Sequence, residues 1–218
     1  MRIQENLNTV VGSAGFLLAL FTAYHQFGFT PDKIDVESKL VRSFESIFTK
    51  KYSFTDLETN FRTDVAGPVY WKITIYNPSD RPVTIKEQGV ELITDKGDLV
   101  QYRQLVHSVF NQKNNKQTFP LTLESRKAYV LFLGLNLKVT PKISSCYGMN
   151  SSVYEVELCS YRKGVDIFGN QVDYKEFISP VDTYGYNVFF GKDVQSPEYV
   201  LTFKTGDGNK FRTRLAYY

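Results

Sequence analysis

The sequence has few of the side chains on which catalytic and metal sites most often depend. Its 218 residues include two histidines and two cysteines. It contains no GxxxxGK[ST] phosphate loop, no GxSxG nucleophile motif and no HExxH zinc motif. Two cysteines without a nearby histidine do not form a recognisable zinc site. We therefore expect a non-enzymatic protein that binds no cofactor and no metal.

A membrane-bound hydrolase is the remaining enzymatic alternative. It would have to use His107 as its base, because His25 falls within the apolar N-terminal run. His107 and Ser108 stand among apolar residues, where a structural histidine is more common than a catalytic one. The hydrolase hypothesis requires a cleft in which His107 lies beside a serine or a carboxylate.

The chain also lacks a strong charge of either sign. Its net charge is +3, and no basic stripe with interleaved aromatic residues is present, so we expect no nucleic-acid partner. Apolar residues make up 42% and charged residues 22%, which is typical of a folded globular protein rather than a disordered tail.

The longest absence is at the N-terminus, where no charged residue occurs between Glu5 and Asp32. A helix of about 20 mostly apolar residues can cross a hydrocarbon core of about 30 Å. The run therefore predicts a tail and transmembrane anchor over residues 1–31, with the lipid bilayer as a partner. The anchor residues are Val10, Val11, Phe16, Leu17, Leu18, Leu20 and Phe21.

A cleaved signal peptide and an ordinary buried helix are the alternatives to this anchor. The best cleavage point follows Ala23 and would put Phe21 where a small residue is needed, so a retained anchor is favoured. Lys33, Lys39 and Arg42 follow the run, whereas Arg2 alone precedes it. This difference favours a single-pass membrane protein whose C-terminal domain lies in the cytoplasm.

The remainder of the chain reads as a short connector followed by strands. Residues 32–66 form a connector that could be partly helical or partly extended. From Val69 the pattern has period two, with Val69, Trp71, Ile73 and Ile75 on one face. Further predicted strands are 82–85, 90–93, 99–105, 119–123, 128–133, 153–158, 186–190, 199–203 and 211–215. Short strands at this spacing predict an antiparallel β-sandwich over residues 67–218, with a possible insertion at 144–196.

Residues 71–85, which read WKITIYNPSDRPVTI, and residues 119–124, which read FPLTLE, resemble strands of immunoglobulin-like modules. A membrane helix before such a module is similar to small bacterial single-pass membrane proteins. The resemblance mainly covers residues 69–133. It implies a mainly β, immunoglobulin-like sandwich after one N-terminal transmembrane helix, and it transfers no catalytic residue. Cys146 and Cys159 could form a disulfide in an oxidising compartment or remain reduced in the cytoplasm.

Aromatic residues make up 15% of the chain and are dense in its C-terminal third. Tyrosine is favoured at interfaces, so Tyr184, Tyr186, Tyr217 and Tyr218 are the predicted partner-binding residues. Tyr184, Tyr217 and Tyr218 are expected to be exposed, because they fall in a loop and at the terminus. The favoured function is a membrane-tethered module that binds a partner protein. The alternative is a membrane-anchored sensor that binds a small molecule or glycan through its Tyr-rich loops.

Overall fold

The computed structural model describes residues 15–22, 31–41, 50–55, 62–93, 99–100, 106–147, 151–178 and 184–218. The chain divides into two units, Met1–Asp32 and Lys33–Tyr218. The first unit contains the helix α1, residues 15–22. The second unit contains all of the described strands and a second helix.

Helix α1 corrects the predicted membrane anchor. No helix among the described residues has both the length and the apolar character needed to span a membrane. The predictions of a transmembrane helix, a single-pass membrane location and a cytoplasmic orientation are therefore wrong. Of the predicted anchor residues, Phe16, Leu17, Leu18, Leu20 and Phe21 lie on α1 and are exposed, and Val10 and Val11 lie outside the described residues.

The second unit is built from two antiparallel sheets. The first has the order β1-β3-β8-β6, and β2 also pairs with β3. Its strands are β1 (Asp35–Val41), β2 (Lys50–Thr55), β3 (Arg62–Tyr76), β6 (Val106–Asn111) and β8 (Ala128–Val139). The second has the order β12-β11-β4-β5, and β7 also pairs with β4. Its strands are β4 (Val83–Ile93), β5 (Leu99–Val100), β7 (Leu121–Leu123), β11 (Glu198–Thr205) and β12 (Lys210–Leu215).

The core lies between these sheets and is supplied by alternate residues of each strand. On β3, Val69, Trp71, Ile73 and Ile75 are all buried, which confirms the face predicted from the period-two pattern. Leu131, Leu133, Leu135 and Leu137 of β8 and Leu201 and Phe203 of β11 join the same cluster. Burying both inner faces in one core makes the unit a β-sandwich.

The strand order corresponds to that of immunoglobulin domains. There, strands A, B, E and D form one sheet, and G, F, C and C′ form the other. Here β1, β3, β8 and β6 occupy the first set of positions, and β12, β11, β4 and β5 occupy the second. The details differ from antibody domains, because Trp71 lies on β3 rather than on β4 and the disulfide lies outside both sheets.

Two buried aromatic side chains satisfy their polar atoms by joining distant parts of the unit. The Trp71 indole nitrogen donates to the Ala216 carbonyl oxygen at 3.1 Å. The Tyr199 hydroxyl, near the start of β11, accepts a hydrogen bond from the Lys138 backbone N–H at 2.8 Å. Burial raises the pKa of Tyr199 above its ordinary value. These bonds attach the C-terminal residues and β11 to the first sheet.

The stretch between β8 and β11 belongs to neither sheet. It contains a 3-10 helix (Pro141–Cys146), helix α2 (Val153–Arg162) and strands β9 (Val172–Ile178) and β10 (Tyr184–Phe190). The predicted strand at residues 153–158 is therefore wrong. Ser152 and Glu155 form a capping box, in which each side chain accepts from the other residue's backbone N–H, and this motif starts the helix. At the other end of the unit, residues 35–41 of the expected connector form β1 rather than a helix.

Asn77, directly after β3, holds together the turns at one end of the sandwich. Its side chain is fully buried. The amide nitrogen Nδ2 donates to the carbonyl oxygens of Arg81, Leu123 and Glu124 at 2.8, 3.2 and 3.1 Å. Its Oδ1 accepts from the Ser79 backbone N–H at 3.0 Å. One side chain thus satisfies backbone groups from two separate turns.

We expect Asn77→Ala to lower the free energy of unfolding by about 3 kcal/mol, because it leaves carbonyl oxygens without a donor at a buried position. Denaturant unfolding measures the change. Asp80→Ala in the same turn is the control, since Asp80 is exposed and pairs with Arg126 at the surface, and it should leave the unfolding midpoint unchanged. Equal midpoints for Asn77→Ala and the wild type would contradict this role.

Candidate interaction surface

Strands β9 and β10 form a two-stranded antiparallel hairpin. The register pairs Val172 with Phe190 at the root and Ile178 with Tyr184 toward the tip. Within the described part of the chain, neither strand pairs with any strand of the two larger sheets. Each strand therefore keeps one edge at which no strand of the described residues pairs with its backbone N–H and C=O groups.

Helix α2 supports one face of this hairpin through polar contacts. Arg162, in the last turn of α2, donates through Nη2 to Glu176 Oε1 of β9 at 2.9 Å. The Tyr174 hydroxyl donates to the same oxygen at 2.6 Å. The hydrogen bond from Tyr174, followed by that from Arg162, lowers the pKa of Glu176, so the carboxylate is ionised at neutral pH. The Glu176 carboxylate therefore fixes the orientation of the hairpin relative to α2, because it accepts hydrogen bonds from Arg162 of α2 and from Tyr174 of β9.

Aromatic rings on the same face extend this support. The Tyr186 ring lies 5.7 Å from the Tyr174 ring and 6.3 Å from the Tyr154 ring of α2, measured between centroids. The Phe190 ring meets the Tyr161 ring edge to face at 6.3 Å. Burial, followed by the hydrogen bond with Tyr154, raises the pKa of Tyr186 to about 12. Tyr186 therefore stays neutral across the physiological range and packs as part of the support.

The root of the hairpin is closed by Asp166 and Asn170. Asp166 is fully buried, and its Oδ1 accepts from the backbone N–H groups of Phe168, Gly169 and Asn170 at 2.9, 2.7 and 2.8 Å. Asn170 Nδ2 donates to the Gln195 carbonyl oxygen at 2.6 Å, and the Gln195 N–H donates back to Asn170 Oδ1 at 2.9 Å. The segments before β9 and after β10 are therefore held side by side.

The hairpin also carries most of the large apolar side chains that the second unit exposes. Five of nine such residues described in Lys33–Tyr218 lie on its fourteen described positions. We call these five the hairpin patch: Phe177, Ile178, Tyr184, Phe189 and Phe190. Ile178, Tyr184 and Phe190 lie on the face that α2 supports, and Phe177 and Phe189 lie on the opposite face. Exposed apolar side chains at this density are typical of surfaces that contact other molecules.

Gly185 has a specific place in this patch. Phe177, directly opposite on β9, lies across it, so that a Cβ atom at position 185 would fall 2.6 Å from Phe177 Cζ. On the same face, the Lys175 ammonium lies 6.0 Å from the centre of the Phe189 ring. An aromatic ring over a strand glycine covers backbone that would otherwise be open to water. The glycine therefore fixes where the exposed Phe177 ring lies.

The four tyrosines predicted to bind a partner fall in different environments. Tyr184 is 83% exposed at the hairpin tip, whereas Tyr186 is half-buried in the support. The expectation that Tyr217 is exposed is wrong, because it is 4% exposed and its hydroxyl donates to Glu157 Oε1 of α2 at 2.5 Å. Tyr218 is partly exposed, and its hydroxyl donates to Asp166 Oδ2 at 2.9 Å. Their roles in binding stay predictions.

Four residues of the hairpin patch are not among the predicted partner-binding residues. Phe177, Ile178, Phe189 and Phe190 stand in segments where large apolar residues follow one another, and such segments also occur in protein cores. The capping box at Ser152 and Glu155 is the sequence feature that indicates a helix before β9. Such a helix separates the hairpin from the strands of the sandwich.

Across the described ranges, no group of three His, Cys, Asp or Glu side chains is placed to hold a metal ion. The His107 backbone lies in β6, and its side chain is outside what the structure describes. The expectations of no cofactor, no metal and no hydrolase chemistry therefore stay predictions.

Comparison of the chain with protein-family models and with curated proteins gives no match. The resemblance to bacterial single-pass membrane proteins with an immunoglobulin-like module thus stays a prediction.

We expect Gly185→Ala to displace the Phe177 ring and expose the backbone that it covers, because the added methyl group would overlap the end of the ring. Amide hydrogen exchange in β9 and β10 should become faster, while exchange in β3 and β8 stays as in the wild type. Gly191→Ala is the matched control, since nothing lies within 4 Å of a Cβ atom there. The same exchange rates in both variants would contradict the role of Gly185.

A disulfide between Cys146 and Cys159 joins the 3-10 helix to α2 and so anchors the support of the hairpin. The two residues are 13 positions apart. Replacing both by serine should lower the free energy of unfolding by about 3 kcal/mol, as the loop-closure model gives for a loop of this length. Reductant should destabilise the wild type and leave the double-serine variant unchanged. Two freely alkylated thiols in the native, unreduced protein would contradict the disulfide.

Proposed function

We propose that this protein is a non-enzymatic interaction module that binds a partner protein through the hairpin patch. The observation that carries the proposal is the concentration of exposed Phe177, Ile178, Tyr184, Phe189 and Phe190 on a hairpin whose two outer edges pair with no strand that the structure describes. Exposed strand edges offer backbone hydrogen bonds, and the alternating side chains beside them supply selectivity. A membrane tether forms no part of the proposal.

The way the hairpin is supported favours this role. The Asn170–Gln195 bonds hold its root, and the Arg162–Glu176 ion pair and the Tyr154, Tyr174 and Tyr186 rings hold one face along its length. The tip residues Ile178 and Tyr184 remain exposed. A binding element that is already ordered loses less conformational entropy when its partner arrives, and more of the contact free energy then appears as affinity.

The alternative, a sensor for a small molecule or glycan, has less support. The rings of Tyr154, Tyr174 and Tyr186 pack against one another rather than around an opening. Between the sheets, the gap lined by Ile73, Phe119 and Phe203 has no room for a water molecule. A small ligand needs a concave site that encloses most of its surface. The sensor hypothesis stays a prediction.

The proposal is tested by placing a photo-crosslinking phenylalanine analogue at Tyr184 in the full chain. We expect a saturable crosslinked protein adduct that mass spectrometry can identify. An excess of the unmodified chain should prevent this adduct from forming. Excess Ile178→Asp chain should compete at least about tenfold less well, because a charge at the tip opposes burial of the patch.

The same analogue at Gln112, an exposed position in the turn after β6, is the control and should give no adduct that is competed in this way. Circular dichroism of Ile178→Asp should match the wild type, which shows that the variant is folded. Identical adducts from positions 112 and 184, or equal competition by wild type and variant, would overturn the proposed binding surface.

A further inference from the structure

We propose that the hairpin patch binds a second copy of this chain, through antiparallel pairing of the two β10 edges. Two hairpins would then form one four-stranded sheet in the order β9-β10-β10-β9 across a two-fold axis. This inference rests on the proposed function and deepens it, because it states which partner the hairpin takes. It is argued from the charges of the edge strands and from the symmetry of the β10 sequence.

The first observation is that β10 lacks the usual protection of an edge strand. Soluble proteins protect exposed edges with lysines and other charges, with proline or with bulges. Strand β10 reads YGYNVFF over seven residues and contains no charge and no proline, and its pairing with β9 has no register shift. An edge of this kind is ready for another strand.

The second observation is that the same chain does protect another edge. Strand β12 lies at the end of the second sheet, and its exposed residues are Lys210, Arg212 and Arg214. Two copies of β12 paired edge to edge would bring these cations together, which is unfavourable. Two copies of β10 bring no like charges together. The charge pattern therefore opposes self-pairing at β12 and permits it at β10.

The third observation concerns which side chains face each other across the proposed pair of β10 strands. A two-fold axis through Asn187 places Tyr186 opposite Val188 of the second copy, and Tyr184 opposite its Phe190. These four residues lie on one face of the hairpin, since they stand opposite Glu176, Tyr174, Ile178 and Val172 of β9. Aromatic and β-branched residues facing each other across strands stabilise a sheet. Pairing would thereby cover the most exposed side chain of the patch, Tyr184.

A different extended peptide is the competing occupant, and nothing in β10 selects one. A charged partner strand would find no complementary charge on β10, where every residue is neutral. The neutral, self-complementary sequence instead matches a copy of itself. A single pair of short strands buries little area, so the dimer should be weak and should depend on concentration.

Sedimentation equilibrium of the full chain tests the proposal. The wild type should show a concentration-dependent dimer. Asn187→Lys and Asn187→Asp should each raise the dimer dissociation constant by at least about tenfold, because each places two like charges opposite each other at the axis. An equimolar mixture of the two variants should recover dimer, since lysine then faces aspartate.

Gln112→Lys makes the same change of charge in an exposed turn and should dimerise as the wild type does. Recovery of dimer in the mixture also shows that the single variants are folded. A strictly monomeric wild type, or an Asn187→Lys variant that dimerises as tightly as the wild type, would overturn the proposal. If the wild type is monomeric but crosslinks from Tyr184 to a different protein, this inference fails while the proposed function stands.

Discussion

Burial of the large Trp71 ring removes much apolar surface from water and so stabilises the fold. Once buried, its indole N–H needs a hydrogen-bond acceptor. In this protein both requirements are met at once, because Trp71 lies between the sheets and donates to the Ala216 carbonyl oxygen. That bond fixes the position of the chain directly after β12, where it leaves the sandwich. It sets where Tyr217 and Tyr218 can reach, and both tyrosines end against the region between β8 and β11.

The rest of that region is organised around these contacts. Glu157 of α2 accepts from Tyr217, and the buried Asp166 accepts from Tyr218 and from three backbone N–H groups of its own loop. The disulfide ties α2 to the 3-10 helix, and Val156 and Ile167 reach into the sandwich core. The sandwich, the C-terminus and the hairpin are therefore linked through one set of contacts rather than through separate ones.

The sequence predicts those parts of the fold in which one short-range pattern dominates. The alternation from Val69 to Ile75 gave the buried face of β3, because burial on one side of a sheet imposes period two. The apolar content of residues 153–158 predicts a strand, but the capping box of Ser152 and Glu155 starts a helix there. The length and composition of the uncharged N-terminal run predict an anchor, but no helix among the described residues is long and apolar enough to span a membrane. The cap at Ser152 indicates a helix before the hairpin, but it does not predict which side chains of the hairpin are exposed, since an exposed phenylalanine and a buried one look alike in sequence.

The pair of hydrogen bonds between Asn170 and Gln195 determines how the hairpin responds to a pulling force. Its two hydrogen bonds run in opposite directions between the segments that enter and leave the hairpin, as a pair of strand residues would bond. A molecule that pulls on the tip at Tyr184 therefore strains both segments together and not one alone. The Asn170–Asp166 and Asp166–Tyr218 hydrogen bonds transmit this pulling force to the C-terminal residues. The bond from Trp71 to Ala216 then transmits it to the sandwich core. The root of the hairpin is therefore connected to the sandwich core by a continuous series of hydrogen bonds.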